Sequence, residues 1–311
     1  MVVKVNEKLN SLLKEIFFVR MTLYSAFQKM ISSLTTEFGF DEAEAMARIV
    51  FEDVFSILPS AIVLDGEKEF LQEEKLNEII SRLLKHEPVQ YVTGKAYFYG
   101  EMFEVNSSVL IPRPETEELV QWIVEASPAS VSLSKGEGFN TDSFKILDIG
   151  TGSGCIAIAL KKNISADVFA IDVSANALEV ARRNSEKLSA EIHFALSDIL
   201  ELKNPFGEIQ FDIIVSNPPY ISEDEKNSLD KNVLAYEPHE ALFAKGNDAL
   251  IFYKAIIEFS KKYLKPNGKL FFEINQLHGN EVKKILEENN FHSVELKNDI
   301  NKNPRMVSAN K

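Results

Sequence analysis

Asn217-Pro218-Pro219-Tyr220 places an amide, a preset carbonyl and an aromatic ring in succession, an order suited to chemistry on a planar nitrogen. An amide or exocyclic amine nitrogen is a poor nucleophile because its lone pair is conjugated. It needs acceptors that hold its N–H groups and aim the lone pair at an electrophile. The Asn217 side-chain oxygen and the Pro218 carbonyl supply two such acceptors. Proline has a fixed φ and no N–H, so its carbonyl comes without a competing donor. The Tyr220 ring offers a flat face for a planar group. The preceding apolar run, Phe211-Asp212-Ile213-Ile214-Val215-Ser216, closed by two prolines, reads as a central strand that ends at a rigid turn. Open α/β sheets place their ligands at such strand ends. The chemistry expected there is methyl transfer to nitrogen.

A second motif lies upstream. Lys145-Ile146-Leu147-Asp148-Ile149 runs into Gly150-Thr151-Gly152-Ser153-Gly154 and then Cys155-Ile156-Ala157-Ile158-Ala159-Leu160. This is strand, glycine loop and helix. Glycines permit the tight turn and let a ligand approach the backbone, and the helix start presents free N–H groups. The next strand, Val168-Phe169-Ala170-Ile171, ends at Asp172, whose carboxylate can accept hydrogen bonds from both hydroxyls of a ribose. Taken alone, the loop also suits an NAD-type or unliganded turn. Its G-x-G-x-G spacing nevertheless differs from the G-x-G-x-x-G of a dinucleotide site.

With these motifs the chain resembles the class I S-adenosylmethionine-dependent methyltransferases. The resemblance implies that Gly150, Thr151, Gly152, Ser153 and Gly154 hold the amino-acid part of the cofactor and Asp172 its ribose. It further implies that Asp198 contacts the adenine, that Ile199 borders the ring and that Asn217 also borders the cofactor. An Asp at a strand end is equally a routine helix cap. Glu87-Pro88-Val89-Gln90-Tyr91-Val92-Thr93-Gly94 and Leu110-Ile111-Pro112-Arg113-Pro114-Glu115-Thr116-Glu117, with the Asn-Pro-Pro-Tyr, narrow the likeness. Together they resemble the peptide-chain release factor glutamine N5-methyltransferases. Tyr236-Glu237-Pro238 and Glu273-Ile274 followed by Gln276 agree with that family.

The resemblance implies an α/β chain with a Rossmann-like seven-stranded methyltransferase domain over residues 111–311. A small N-terminal helical bundle, residues 1–90, and a β-hairpin linker, residues 91–110, precede it. It implies S-adenosyl-L-methionine as cofactor, S-adenosyl-L-homocysteine as product, and transfer to the glutamine of the Gly-Gly-Gln motif in class I release factors. Asn217, Pro218, Pro219 and Tyr220 are the expected catalytic and substrate-binding residues. Phe98 or Tyr99 on the hairpin, hanging over the site, is expected to wall the glutamine pocket, and Arg113 to line the substrate cleft. The sister family that methylates a ribosomal-protein glutamine shares the Asn-Pro-Pro-Tyr but usually carries a different run after the Pro-Arg. The run Arg113-Pro114-Glu115-Thr116-Glu117 favours the release-factor family; one departure from it is the tail Asn298 to Arg305, which lacks a glycine that family often has between its Asp and Arg.

The elements that must position these groups are legible as periodicity. Leu9, Leu12, Leu13, Ile16 and Phe17 recur at helical spacing, as do Leu23, Phe27, Met30, Ile31 and Leu34, and Leu76, Ile79, Ile80, Leu83 and Leu84. Asp41 with Glu44 reads as a capping box opening a further helix. Gly94 to Val109 alternates around Gly100 as a hairpin does, and residues 127–143 read as a surface linker.

Composition bounds the rest. The net charge of −13 argues against affinity built on neutralising many phosphates, so stable nucleic-acid binding is not expected. The rival reading is an adenine N6 or guanine N2 methyltransferase, which would take a flipped or single-stranded base. No apolar stretch approaches a bilayer span, and the start lacks the long uncharged centre of a signal peptide. A cytoplasmic location is expected. Cys155 is the only cysteine, so no internal disulfide can form. Its place favours a small packing residue over a nucleophile. The five histidines show no metal-ligand spacing, and no metal is expected.

Overall fold

The computed structural model describes residues 20–128, 143–222, 225–226, 229–246 and 248–311. The expected helix over residues 9–17 and nearly all of the expected linker lie outside these residues. The chain divides into two compact units at Thr93 and Gly94.

The first unit is helical: α1 (Leu23–Phe38), α2 (Phe40–Asp53), α3 (Pro59–Leu64), α4 (Glu73–Leu83) and α5 (Val89–Thr93). The apolar positions of α1 recur every three or four residues and are the buried ones, Leu23, Phe27, Met30, Ile31 and Leu34 among them. Those of α4, Leu76, Ile79, Ile80 and Leu83, behave likewise. Burying each such side chain stabilises the unit by about 1.5–3 kcal/mol. Phe51 joins the stripes, meeting Phe27 edge-on at 5.2 Å. The capping box stands at α1 instead of α2. Thr22 Oγ1 accepts from the Ser25 N–H at 3.1 Å, and Ser25 Oγ accepts from the Thr22 N–H at 2.8 Å. Asp41 sits inside the first turn of α2, because Gly39, at φ +82°, makes the chain reversal and starts the helix two residues earlier than the sequence pattern implies. Glu44 pairs along the helix with Arg48 at 2.7 Å.

The second unit begins with a hairpin, β1 (Lys95–Phe98) and β2 (Glu101–Glu104). Its two-residue loop, Tyr99-Gly100, has φ of +50° and +79°, the pair of left-handed residues that matches the twist of the strands. After α6 (Pro114–Ala126) come β3 (Lys145–Ile149), α7 (Cys155–Asn163), β4 (Asp167–Asp172), α8 (Ala175–Lys187), β5 (Ile192–Leu196) and β6 (Phe211–Ser216). Then follow α9 (Lys231–Tyr236), α10 (His239–Leu242), α11 (Ile251–Tyr263), β7 (Leu264–Glu273), α12 (Gly279–Glu288), β8 (His292–Asn298) and β9 (Pro304–Asn310).

Seven strands form one sheet in the order β5-β4-β3-β6-β7-β9-β8. β3 to β7 run parallel, and β9 is antiparallel to both its neighbours. Strands buried on both faces are apolar almost throughout, as in Ile213-Ile214-Val215 of β6. One face packs on α6 and α7 through Leu119, Ile123, Ile156 and Leu160. The other packs on α11 and α12 through Phe252, Ile256, Val282 and Leu286. The chain order reverses between β3 and its two neighbours, β4 and β6. Ligands of doubly wound sheets bind outside the carboxyl ends of strands at this point.

The final hairpin closes without the glycine. Asp299 is buried and accepts from the Asn303 N–H at 2.9 Å and from Arg305 Nε at 3.1 Å, while Lys302 takes the left-handed turn position at φ +67°.

Gly154 caps α7 at φ +83°, and a Cβ there would lie 3.2 Å from both Ala181 Cβ and Ile158 Cδ1. Gly154→Ala is expected to lower stability by about 1–2 kcal/mol, the cost of a left-handed L residue. Urea unfolding checks this, and an unchanged midpoint would show that the turn relaxes freely.

Candidate active site

The loop after β3 is tied to the end of β4. The Gly150 and Thr151 N–H groups donate to the Ile171 carbonyl at 2.9 and 3.1 Å, and the Gly152 N–H donates to Asp172 Oδ2 at 2.8 Å. Asp172 Oδ1 accepts from the Ser174 N–H at 2.9 Å. Burial raises the Asp172 carboxyl above its ordinary value against the pull of these hydrogen bonds. A cavity of ≈ 200 Å³ opens here, bordered by Gly150, Gly152, Asp172, Asp198, Ile199 and Asn217.

Gly150 and Gly152 have φ of +74° and +55°, and no heavy atom lies within 4 Å of where either Cβ would stand. The backbone is therefore open to a ligand at two successive left-handed positions. At the root of the loop Asp148 is fully buried. Its Oδ2 accepts from Thr151 Oγ1 at 2.6 Å, while its Oδ1 has no hydrogen-bond partner. Burial pushes its carboxyl up to about 7. An open glycine backbone and an acid at the next strand end, both bordering the cavity, fit an adenosyl sulfonium cofactor, with the acid at its ribose.

Asp198 serves in two ways. It borders the cavity, and it caps the short 3-10 turn Ile199–Glu201 by accepting from the Leu200 N–H at 2.9 Å. Burial raises its carboxyl, but that hydrogen bond and Lys245, 3.1 Å away, outweigh the effect and leave it below the usual range. Thr151 is turned inward to Asp148, and Ser153 and Gly154 lie beneath the loop without bordering the cavity.

β6 delivers Asn217, Pro218 and Pro219 to the same cavity. The strand end is fixed from below, where Ser216 Oγ donates to the Ile149 carbonyl at 2.7 Å. Downstream, the Ile221 N–H donates to Leu242 O at 3.1 Å, and the Ala244 N–H donates to Ile221 O at 3.0 Å. Tyr220 does not border the cavity. Its hydroxyl donates to Glu273 Oε1 at 3.3 Å, and burial, with Glu273 beside it, holds the phenol well above its ordinary pKa.

Two further expectations change. Phe98 is 1 % exposed and packs edge-on against Phe103 at 6.0 Å; neither it nor Tyr99 borders the cavity. A two-stranded ribbon must bury one face. This one lies against the α7–α8 side of the sheet, where Asn184 Oδ1 accepts from the Glu104 N–H at 2.7 Å and Asn184 Nδ2 donates to Ser153 O at 2.9 Å. Only Ser108, Val109 and Leu110, beyond the ribbon, reach the cavity. Arg113 is committed to Glu237, with Nη2 2.5 Å from Oε1, and does not border the cavity either.

Cys155 is buried and its thiol is pushed up to about 12 by that burial, which suits packing and not attack. Among the described residues no group of three or more His, Cys, Asp or Glu side chains can hold a metal ion, and no helix is long and apolar enough to cross a membrane.

Sequence reasoning noted Glu273 and Thr116 only within family-like runs and gave neither a role of its own. Glu273 closes β7 as a buried acid after Leu270-Phe271-Phe272. Thr116, in the first turn of α6, donates to Glu273 Oε2 at 2.6 Å and accepts from Asn217 Nδ2 at 3.4 Å. An acid at the end of an otherwise apolar strand was the available signal.

Asp172→Ala removes the carboxylate facing the cavity. It is expected to weaken S-adenosylmethionine binding by about tenfold, near the low end for hydrogen bonds to a charged group. Calorimetry on the purified protein reads this directly, and an unchanged affinity would remove Asp172 from the ribose site.

Comparison with known proteins agrees with this geometry. Residues 140–309 match the family described as "Methyltransferase domain", and residues 26–94 match the "PrmC N-terminal domain". A release factor glutamine methyltransferase of Flavobacterium psychrophilum is 43% identical over 285 residues, covering 91% of this chain and 96% of its own. One from Bacteroides thetaiotaomicron is 41% identical, covering 87% and 94%. One from Bacillus subtilis is 39% identical, covering 93% and 97%. With a methyltransferase domain whose cavity is bordered by Gly150, Gly152, Asp172 and Asn217-Pro218-Pro219, and with relatives alike over nearly their whole length, the chain belongs to the release factor glutamine methyltransferase family.

Proposed function

We propose that the protein transfers a methyl group from S-adenosylmethionine to the side-chain amide nitrogen of the glutamine in the Gly-Gly-Gln motif of class I release factors. The observation that carries this reading is the cavity shared by Asp172, Gly152 and Asn217-Pro218-Pro219. An acid able to take a ribose and a pair of carbonyl acceptors able to take an amide then border the same space, which supports the reading.

When bound, S-adenosylmethionine supplies an electrophilic methyl on a sulfonium. The chain's own residues do the positioning. Asn217 Oδ1 and the Pro218 carbonyl accept the two N–H bonds of the glutamine amide and turn its lone pair toward the methyl, at a reacting distance of about 3 Å. These acceptors also face the positive charge that grows on nitrogen, where preorganised dipoles act most strongly. No general base acts before attack. The methylated nitrogen is strongly acidic and gives its proton to water or a neighbouring acceptor. Tyr220 is tethered through its hydroxyl and stiffens the turn that presents Asn217 and Pro218.

The test is transfer of labelled methyl to purified release factor, beside the same factor with Gln→Ala in its Gly-Gly-Gln motif and beside DNA and RNA. Label lost only in the Gln→Ala factor supports the reading. Label on nucleic acid with none on the factor overturns it.

A further inference from the structure

A side-chain amide can present either its oxygen or its NH2 group to a substrate, and only the oxygen can accept an N–H from glutamine. Asn217 stands at the end of β6 with one face toward the cavity and the other toward α6. What chooses between the two orientations is written in the hydrogen bonds behind it.

Glu273 is 2 % exposed at the end of β7 and takes two hydroxyl donors, one on each oxygen. Tyr220 donates to Oε1 at 3.3 Å and Thr116 donates to Oε2 at 2.6 Å. A hydroxyl has one hydrogen. Once Thr116 gives it to Glu273, the threonine oxygen has only lone pairs left, and the group of Asn217 that meets it at 3.4 Å must be the NH2. The Asn217 oxygen is thereby left on the other side. Glu273 is held in turn by the β7–β9 ladder, with Ile274 N donating to Arg305 O at 2.8 Å, and by the Tyr253 hydroxyl on its own carbonyl at 3.2 Å.

We propose that Thr116 is a positioning residue for methyl transfer, relaying the fixed acceptor character of Glu273 to Asn217 so that Asn217 Oδ1, not its NH2, faces the substrate amide. The inference rests on the protein-glutamine reading above and deepens it. Its chemistry is that of selecting an N–H donor: a substrate group lacking an N–H finds no partner at Asn217. The same carboxylate anchors Tyr220, so one buried acid sets two members of the Asn-Pro-Pro-Tyr turn.

Thr116→Val keeps the shape and removes both hydrogen bonds, whereas Thr116→Ser restores the hydroxyl. Thr116→Ala, which adds no bulk, replaces the valine variant if that one does not fold. On release factor, the valine variant is expected to lower kcat about tenfold, with KM and S-adenosylmethionine affinity within twofold of wild type. The serine variant is expected to recover most of the loss. In an Asn217→Ala background Thr116→Val is expected to cost nothing further, because Thr116 acts through Asn217.

Equal losses for valine and serine, wild-type kcat for valine, or full additivity with Asn217→Ala would each overturn the relay. The free protein gives a second reading that needs no substrate. The Asn217 side-chain NH2 resonances, identified by their absence in Asn217→Ala, should shift and exchange faster in Thr116→Val; unchanged resonances count against the relay. If wild type labels no release factor while those resonances respond, the functional reading fails and the relay stands.

Discussion

Asn217→Ala is expected to lower turnover on release factor by at least about 100-fold, about 2.7 kcal/mol of transition-state stabilisation, with S-adenosylmethionine affinity nearly unchanged. The size follows from what the side chain does. In the proposed mechanism it is one of two acceptors that hold an unreactive nitrogen in line, and its oxygen meets the charge that grows during transfer. The residues proposed to hold the cofactor, Gly150, Gly152 and Asp172, border the same cavity, and the substitution leaves them in place. Single-turnover methyl transfer with saturating cofactor isolates the chemical step, and calorimetry reads cofactor binding separately. Wild-type turnover in Asn217→Ala would sink the acceptor mechanism. A matching loss of cofactor affinity would move Asn217 from amide alignment to cofactor binding.

The parts of this site legible in the sequence are those formed locally. A glycine loop, an acid at the end of β4 and a Pro-Pro turn at the end of β6 each follow from a few consecutive residues, and parallel strands bring their carboxyl ends to one edge without further information. What sequence reasoning could not reach depends on partners far apart. Thr116 and Glu273 are separated by 157 positions and meet only because α6 packs beside β7. The aromatic residues of the hairpin suited the wall of a pocket, although filling a core is their commoner use. Phe98 and Phe103 share the inner face, and covering that face by the main body leaves neither of them for substrate. In the helical unit, Asp41 had the type and spacing of a cap, but the left-handed Gly39 starts the helix two residues sooner. The tail departed from the family pattern without consequence, since Lys302 occupies the left-handed position and Asp299 closes the turn.

Arg113→Ala separates a structural role from a substrate-binding one. The Glu237 side chain is 1% exposed, and its two oxygens serve Arg113 at 2.5 Å and the Ile111 N–H at 3.3 Å. This joins the segment behind Leu110 to the segment before Pro238, and both of those residues border the cavity. Removing the guanidinium leaves a buried carboxylate with one backbone donor. Orphaning such a charge costs about 3–5 kcal/mol. The lower end applies because the Arg113 side chain is 35% exposed and water screens part of the pair. Arg113→Ala is therefore expected to lower unfolding free energy by about 3 kcal/mol in urea. Arg113→Ala with Glu237→Gln should lose less, since no charge is then stranded. If Arg113 instead grips the substrate, the single variant would keep its unfolding midpoint and raise KM for release factor. The commitment of Arg113 to a buried acid favours the first outcome, because a guanidinium released to bind substrate would strand Glu237 in every catalytic cycle.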